Sequence, residues 1–281
     1  MRPDGIPVKG SDPMYALIPY FLTKRYDAMN MMAMDIPVDP MKDYINAKRK
    51  EGIALSHIGL VIAAYVRIAA EYPLINRFVG GKKIYQHKDF TVSMAVLRSG
   101  SEDTISKIKF ELTDDVFEVQ RKIDEYINDN RHNEDQLLDK WMNRLLHIPG
   151  LMGAAIALLR FMERHNMLPG ALVKASPFHA SMLISNLASI RTNHIFHHVY
   201  EFGSTSISMT MGTQREIPRS SKGQVVFDRC IPIGLVMDER ICNGVYFSQA
   251  FSRFRKYLAD PTLLEGKPTF EVLTPEQASK L

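Results

Sequence analysis

Cysteine is scarce in this sequence: Cys230 and Cys242 stand alone among 281 residues, against 16 methionines. Two such residues build no disulfide framework, and a reducing cytosol is the expected compartment. Long apolar runs are missing too. The longest, Ile148 to Met162, is interrupted by Pro149, Gly150 and Arg160, and falls short of the roughly 20 residues that span a bilayer. Residues 1–13 are polar and broken by prolines, unlike a signal peptide. These gaps lead to the expectation of a soluble, cytoplasmic protein with no integral membrane association. Nor is there an excess of one charge. The 35 basic and 31 acidic residues are mixed along the chain, for a formal net charge of +4. A nucleic-acid partner, which calls for a clustered basic stripe, is not expected. No repeat and no low-complexity linker divides the chain. With 46% apolar and 23% charged residues, a disordered or collagen-like chain is excluded, and a core of ordinary density fits this length.

What is present is a mixture of two periodicities. Residues 1–50, with prolines at 3, 7, 13, 19, 37 and 40, read as an irregular arm packed over something else. From Ser56 to Glu71 the apolar positions Ile58, Val61, Ile62, Tyr65, Ile68 and Ala69 follow the 3.6-residue period, with Ser56 as N-cap and Pro73 as stop. Residues 78–85 read as a hairpin turning at Gly80-Gly81, and 90–97 and 108–112 as strands. Thr113 or Asp114 caps a helix carrying Val116, Val119, Ile123 and Ile127. Helices are expected over 136–146 and 150–164, strands over 182–187, 205–211 and 225–236, and a last helix over 245–258. Residues 265–281 read as a polar tail. The pattern is α/β, in a single domain over 1–281, with an N-terminal arm at 1–20 and a helical insertion at 135–175.

Four stretches carry a family resemblance, in order along roughly residues 20–265. Asp238-Glu239-Arg240-Ile241-Cys242-Asn243-Gly244 follows a strand and precedes a helix ending Leu258-Ala259-Asp260-Pro261-Thr262-Leu263-Leu264. This resembles the D-H-R-x-x-[DN]-G signature and L-x-D-P-x-x-L-L ending of the 2-oxoacid dehydrogenase acyltransferases; chloramphenicol acetyltransferase has a related H-H-x-x-x-D-G. Tyr72-Pro73-Leu74-Ile75-Asn76, Leu183-Ile184-Ser185-Asn186-Leu187 and the segment around Thr23-Lys24-Arg25 resemble three further landmarks.

The resemblance implies a chloramphenicol acetyltransferase-like two-layer α/β sandwich that assembles as a homotrimer. It implies coenzyme A or acyl-coenzyme A as co-substrate and a small-molecule or carrier-bound acyl acceptor; no metal is expected. In that family the histidine of the signature takes the proton of the attacking group. A serine matching Ser185 bonds the tetrahedral oxyanion from the neighbouring subunit, and the residue matching Asn243 anchors the loop. Asp238, Arg240 and Arg25 are the expected ion-pair support. This chain departs at the centre of the pattern, because position 239 is Glu. The helices of 135–175 replace a short linker, and no lipoyl domain precedes the catalytic region.

Two readings of Glu239 stand. A free glutamate titrates near about 4.3 and is a weak base towards a thiol of about 8.5, but burial beside Asp238 would strengthen it. Alternatively, Glu239 pairs with Arg240 or Arg25 in a site without chemistry. Asn193-His194-Ile195-Phe196-His197-His198 offers His197 and His198 as replacement bases. His194 and His198 would share a helix face as metal ligands do, or pack as a hydrogen-bonded cluster. Ser185 is either the oxyanion donor or a hydroxyl satisfied by a backbone carbonyl. Gly80-Gly81-Lys82-Lys83 lacks phosphate-loop spacing and reads as a turn. Lys48-Arg49-Lys50 reads as a solvated face, Cys242 as a small buried apolar residue, and His57 and His179 as capping or core residues. The function expected is acyl transfer from coenzyme A to a thiol, hydroxyl or amine. The alternative is an inactive relative that binds coenzyme A or an acyl carrier, or serves as a trimeric scaffold.

Overall fold

A computed structural model describes residues 2–10, 12–97, 103–132 and 150–281. Its centre is a large mixed sheet. The strands are β2 (Met29–Pro37), β5 (Phe90–Leu97), β6 (Asp103–Phe110), β7 (Met182–Asn186), β8 (Ile207–Met211), β9 (Arg215–Ser221) and β10 (Gln224–Asp238). Their order is β2-β10-β8-β7-β5-β6, with β9 beside the outer half of β10. The β5–β7 and β7–β8 pairs are parallel and the rest antiparallel. A smaller sheet joins β1 (Gly5–Pro7), β4 (Lys83–His87) and β3 (Arg77–Gly80) in the order β1-β4-β3.

Four helices cover one face of the large sheet: α2 (Val38–Lys50), α3 (His57–Glu71), α4 (Val116–His132) and α7 (Gly244–Ala259). Alternation along the strands decides which residues meet them. Met182 and Ile184 of β7, Met209 of β8, and Ile233, Leu235 and Met237 of β10 point into this core. Helix α3 lies at its centre, and every residue from Gly59 to Ala70 is buried; a helix apolar on all sides belongs inside. Ser56 accepts a hydrogen bond from the Gly59 amide as the N-cap. The opposite sheet face carries Ser93, Leu183, Ser185, Ser208 and Thr210 in register.

Several expectations need correction. Residues 1–50 are not an irregular arm: they supply β1, α1 (Pro13–Phe21), β2 and α2. Pro37 ends β2 and serves as the N-cap of α2, so the prolines there mark boundaries. Helix α4 is capped by Asp115, whose carboxylate accepts from the Phe117 and Glu118 amides while Glu118 accepts from the Asp115 amide. This reciprocal box displaces Thr113 and Asp114; Asp114 instead pairs with Lys122. Strand β9 was not expected, and Pro218 within it is tolerated because β9 is an edge strand. The C-terminal segment contains α8 (Pro275–Ala278) with a Thr274–Gln277 capping box, and the Ala278 carbonyl accepts from Arg77. The helix expected over 136–146 lies outside the described residues. Beyond it, α5 (Leu151–Arg164) and α6 (Gly170–Ala175) form. None of the described helices is long and apolar enough to cross a membrane.

Candidate active site

Strand β10 ends at Asp238, flanked by Met29 of β2; the Asp238 amide donates to the Ser206 carbonyl. The Asp238 carboxylate is fully buried, where an unpaired charge would be prohibitive. Arg240 answers it with two nearly parallel bonds, Nε to Oδ1 at 2.8 Å and Nη2 to Oδ2 at 2.7 Å. The Arg240 amide adds a third, at 3.1 Å. From the other side, Arg25 Nε lies 3.4 Å from Oδ2.

Arg25 in turn holds the surrounding loops. Its guanidinium donates to the carbonyls of Tyr200, Gly203 and Val79, and its amide to Glu201. Arg240 reaches the Leu22 carbonyl. Burial presses the Arg25 guanidinium below its usual range, and the Asp238 charge opposes that shift. The three residues singled out as ion-pair support are therefore joined, and they tie the end of β10 to the segments around 22–25 and 200–203.

Glu239 takes no part in this knot. Its amide donates to the Ala28 carbonyl, and its half-buried carboxylate accepts from Asn30 Nδ2 at 2.8 Å. Asn30 is the cross-strand partner of Met237, so Glu239 stands on the helix side of the strand end. The reading that pairs Glu239 with Arg240 or Arg25 is thereby corrected: Asp238 fills that role. Two residues on, Ile241 and Cys242 turn into the core, and burial pushes the Cys242 thiol up, leaving no thiolate for attack. Asn243 is the N-cap of α7, its Oδ1 accepting from the Tyr246 amide at 2.7 Å. It fixes where the loop ends and the helix begins.

Ser185 lies elsewhere. It pairs with Thr210 on β8, which faces Gly234 on β10. Glu239 is five residues beyond Gly234 and two strands from Ser185. Strand spacing and rise put the two roughly 19 Å apart within one chain. Among the described residues, the Ser185 hydroxyl makes no hydrogen bond, so the backbone-satisfied alternative is absent here.

The histidine segment is irregular rather than helical, so His194 and His198 share no helix face. His194 Nδ1 lies against Asn193, while His197 Nδ1 meets the His198 carbonyl at 2.9 Å and the two rings stack. The segment crosses the outer sheet face: Thr210 donates to the Ile195 carbonyl, and the Val199 amide reaches Met29 Sδ. Neither His197 nor His198 bonds to Glu239 or Ser185.

Sequence reasoning missed Asn30 and Glu201, which hold Glu239 and the Arg25 amide. No local signal marked them, because each acts on a residue far away in the chain.

No family model and no curated relative matches the sequence. Solved structures do match the fold. A probable dihydrolipoamide acetyltransferase from Listeria monocytogenes 4b F2365 superposes with a TM-score of 0.58 at 13% identity, over 94% of this chain and 97% of its own. The dihydrolipoamide acetyltransferase of Azotobacter vinelandii gives 0.58 at 13%, over 91% and 93%. Its structure was solved to investigate a serine, a histidine and an asparagine in that enzyme's catalytic mechanism. A chloramphenicol acetyltransferase gives 0.55 at 9%, over 90% and 99%. Matched along nearly their whole length, the two kinds of protein named by the signature loop converge with its geometry on one conclusion: this chain has the chloramphenicol acetyltransferase-like fold shared with the dihydrolipoamide acetyltransferase catalytic cores.

Proposed function

We propose that this protein is an acyl-coenzyme A-dependent acyltransferase that works as a homotrimer, with Glu239 as its general base. The observation that carries the reading is the loop itself. In an acyltransferase fold, the Asp238–Arg240–Arg25 knot holds position 239 at the strand end, and Asn30 orients the carboxylate placed there. A carboxylate fixed at one oxygen keeps the other for a proton.

The reaction follows from these roles. The acceptor's thiol, hydroxyl or amine loses its proton to Glu239 as its heavy atom attacks the thioester carbonyl carbon. The carbonyl oxygen becomes an oxyanion, which accepts a hydrogen bond from the Ser185 hydroxyl of a neighbouring copy. Such a donor, aimed at charge that develops only in the transition state, contributes about 3–4 kcal/mol in well-studied cases. Collapse breaks the carbon–sulfur bond, and the coenzyme A thiolate takes the proton back from Glu239.

Calorimetric titration with coenzyme A and acetyl-coenzyme A is the first test. Saturable micromolar binding, about −8 kcal/mol, is expected, with acyl transfer lost in Glu239→Gln while donor binding persists. Absence of coenzyme A binding defeats the proposal. Binding without transfer to any acceptor, unchanged by Glu239→His, points instead to an inactive carrier-binding or scaffold relative.

A further inference from the structure

Helix α5 is apolar on its outer side as well as its inner one, and acyl transfer has no use for the outer side. From Leu151 to Leu159 no side chain carries a polar group. An ordinary surface helix turns its apolar stripe inward and its polar residues to water. Here Met152, Ala155, Leu159 and Met162 are half-buried on the inner side, while Leu151, Ala154, Leu158 and Phe161 form an exposed stripe opposite. Leu158 and Phe161 are 58% and 55% exposed. Ile156, Met167 and Leu172 stand exposed around them. One exposed apolar side chain is ordinary, but six large ones gathered within Leu151–Leu172 mark a surface that contacts something.

The stripe is presented from a fixed frame. Glu163, on the inner side of α5, is held between Arg2 and His179. The last turn of the helix is seated on the β3–β4 turn, where a Cβ at Gly81 would lie 2.9 Å from the Arg164 carbonyl oxygen. Beyond it, Leu168 and Val173 are buried. Lys107 Nζ donates to the Val173 carbonyl at 2.8 Å, which ties α6 to β6.

Charge decides what the surface fits. Between Gly150 and Ser176 the one carboxylate is Glu163, already committed to this anchorage. The exposed charged side chains there are Arg160, Arg164 and Lys174, and among the described residues none of the three pairs with a carboxylate. A second copy of the same surface would add cations and no acid, so like charges would meet across the contact. An anionic bilayer supplies both missing partners. Its acyl region takes the apolar stripe, and its headgroups take the long basic side chains at the margin. At 14 residues, α5 is long enough to lie on such a surface and too short to cross it.

We propose that α5 and α6 form a docking surface for anionic membranes, with Leu151, Leu158 and Phe161 entering the acyl boundary and Arg160, Arg164 and Lys174 meeting the headgroups. The assignment does not rest on the acyl-transfer reading. Sedimentation of the full chain with vesicles of phosphatidylserine and phosphatidylcholine in equal parts tests it. The parent is expected to sediment with these vesicles and to stay in solution with phosphatidylcholine alone, its binding falling as salt rises. Leu158→Ser/Phe161→Ser should weaken binding about tenfold or more. Arg160→Gln/Arg164→Gln should weaken it less and flatten its salt dependence. All four residues are exposed, so thermal unfolding, measured alongside, should be unchanged. Phe227→Ser removes a comparably exposed aromatic from the β9–β10 hairpin and should leave binding intact. A parent that ignores the anionic vesicles, or a Leu158→Ser/Phe161→Ser variant that binds them as tightly as the parent, overturns the proposal. So does a parent indifferent to vesicles whose molar mass in light scattering drops on Leu158→Ser/Phe161→Ser, which would assign the stripe to a contact between copies.

Discussion

Asp238 answers for two buried cations at once, and this makes its carboxylate the costliest one to remove from the loop. With Arg25 and Arg240 at 2% and 3% exposure, Asp238→Ala leaves both nearly buried guanidiniums without the carboxylate they share. Breaking a buried pair by deleting one partner costs about 3–5 kcal/mol, so this variant is expected to lose that much in chemical denaturation. Deleting the half-buried Glu239 carboxylate instead should cost about 0.5 kcal/mol, the scale of a surface substitution, since only an exposed bond to Asn30 is lost. The contrast separates support from chemistry: Asp238→Ala shifts the unfolding midpoint, whereas Glu239→Ala leaves it in place. Equal losses from the two would refute the division of roles. At this scale the sequence was informative where side-chain type and spacing travel together, as in Asp238, Arg240 and Asn243. It was silent on Asn30, whose meaning depends on a cross-strand register with Met237, and it offered Glu239 a choice of arginine partners that Asp238 had already taken.

Elements were legible where one period ran undisturbed. Helix α3 shows its cap, its apolar repeat and its terminating proline in order, and α7 shows a capped start and a stripe of phenylalanines. Strand β2 was hidden for the opposite reason. Its run Met29 to Pro37 is rich in methionine, which has no strand preference, and it lies between prolines that mark boundaries rather than disorder. The histidine segment had helical spacing but no helix, because its backbone is committed to Thr210 and Met29 across the sheet. How two elements dock was beyond the sequence altogether, and the seat of α5 on the β3–β4 turn is an example. Gly81 and Lys82 both have positive φ, +54° and +66°, as a tight two-residue hairpin turn requires. Gly81→Ala adds a left-handed penalty of about 1–2 kcal/mol and drives a methyl group into the Arg164 carbonyl. The expected result is faster amide hydrogen exchange across 151–164, with α3 unchanged. Exchange that stays the same in α5 would show that the helix is seated by other contacts.

The arrangement of the whole molecule follows from a distance. Ser185 and Glu239 are two strands and five residues apart in one sheet, and Glu239 stands on the helix side of the strand end while Ser185 belongs to the opposite face. Neither side chain can span roughly 19 Å of rigid ladder, so no single copy assembles both into one site. If the proposed chemistry operates, the serine must come from a neighbour, and the enzyme must be an assembly in which each interface joins one copy's Ser185 to the next copy's Glu239. A head-to-tail ring has this property, and it makes a quantitative demand. Ser185→Ala and Glu239→Gln homotrimers should each be nearly inactive, for every site lacks one group. Unfolding and refolding the two together in equal amounts mixes the subunits at random. A site is then intact whenever a Glu239→Gln copy lends its serine to a Ser185→Ala copy, which occurs at about one interface in four. Activity should therefore return to about a quarter of the parent level. A site contained within one chain would give no recovery on mixing, because every chain in the mixture carries one of the two lesions.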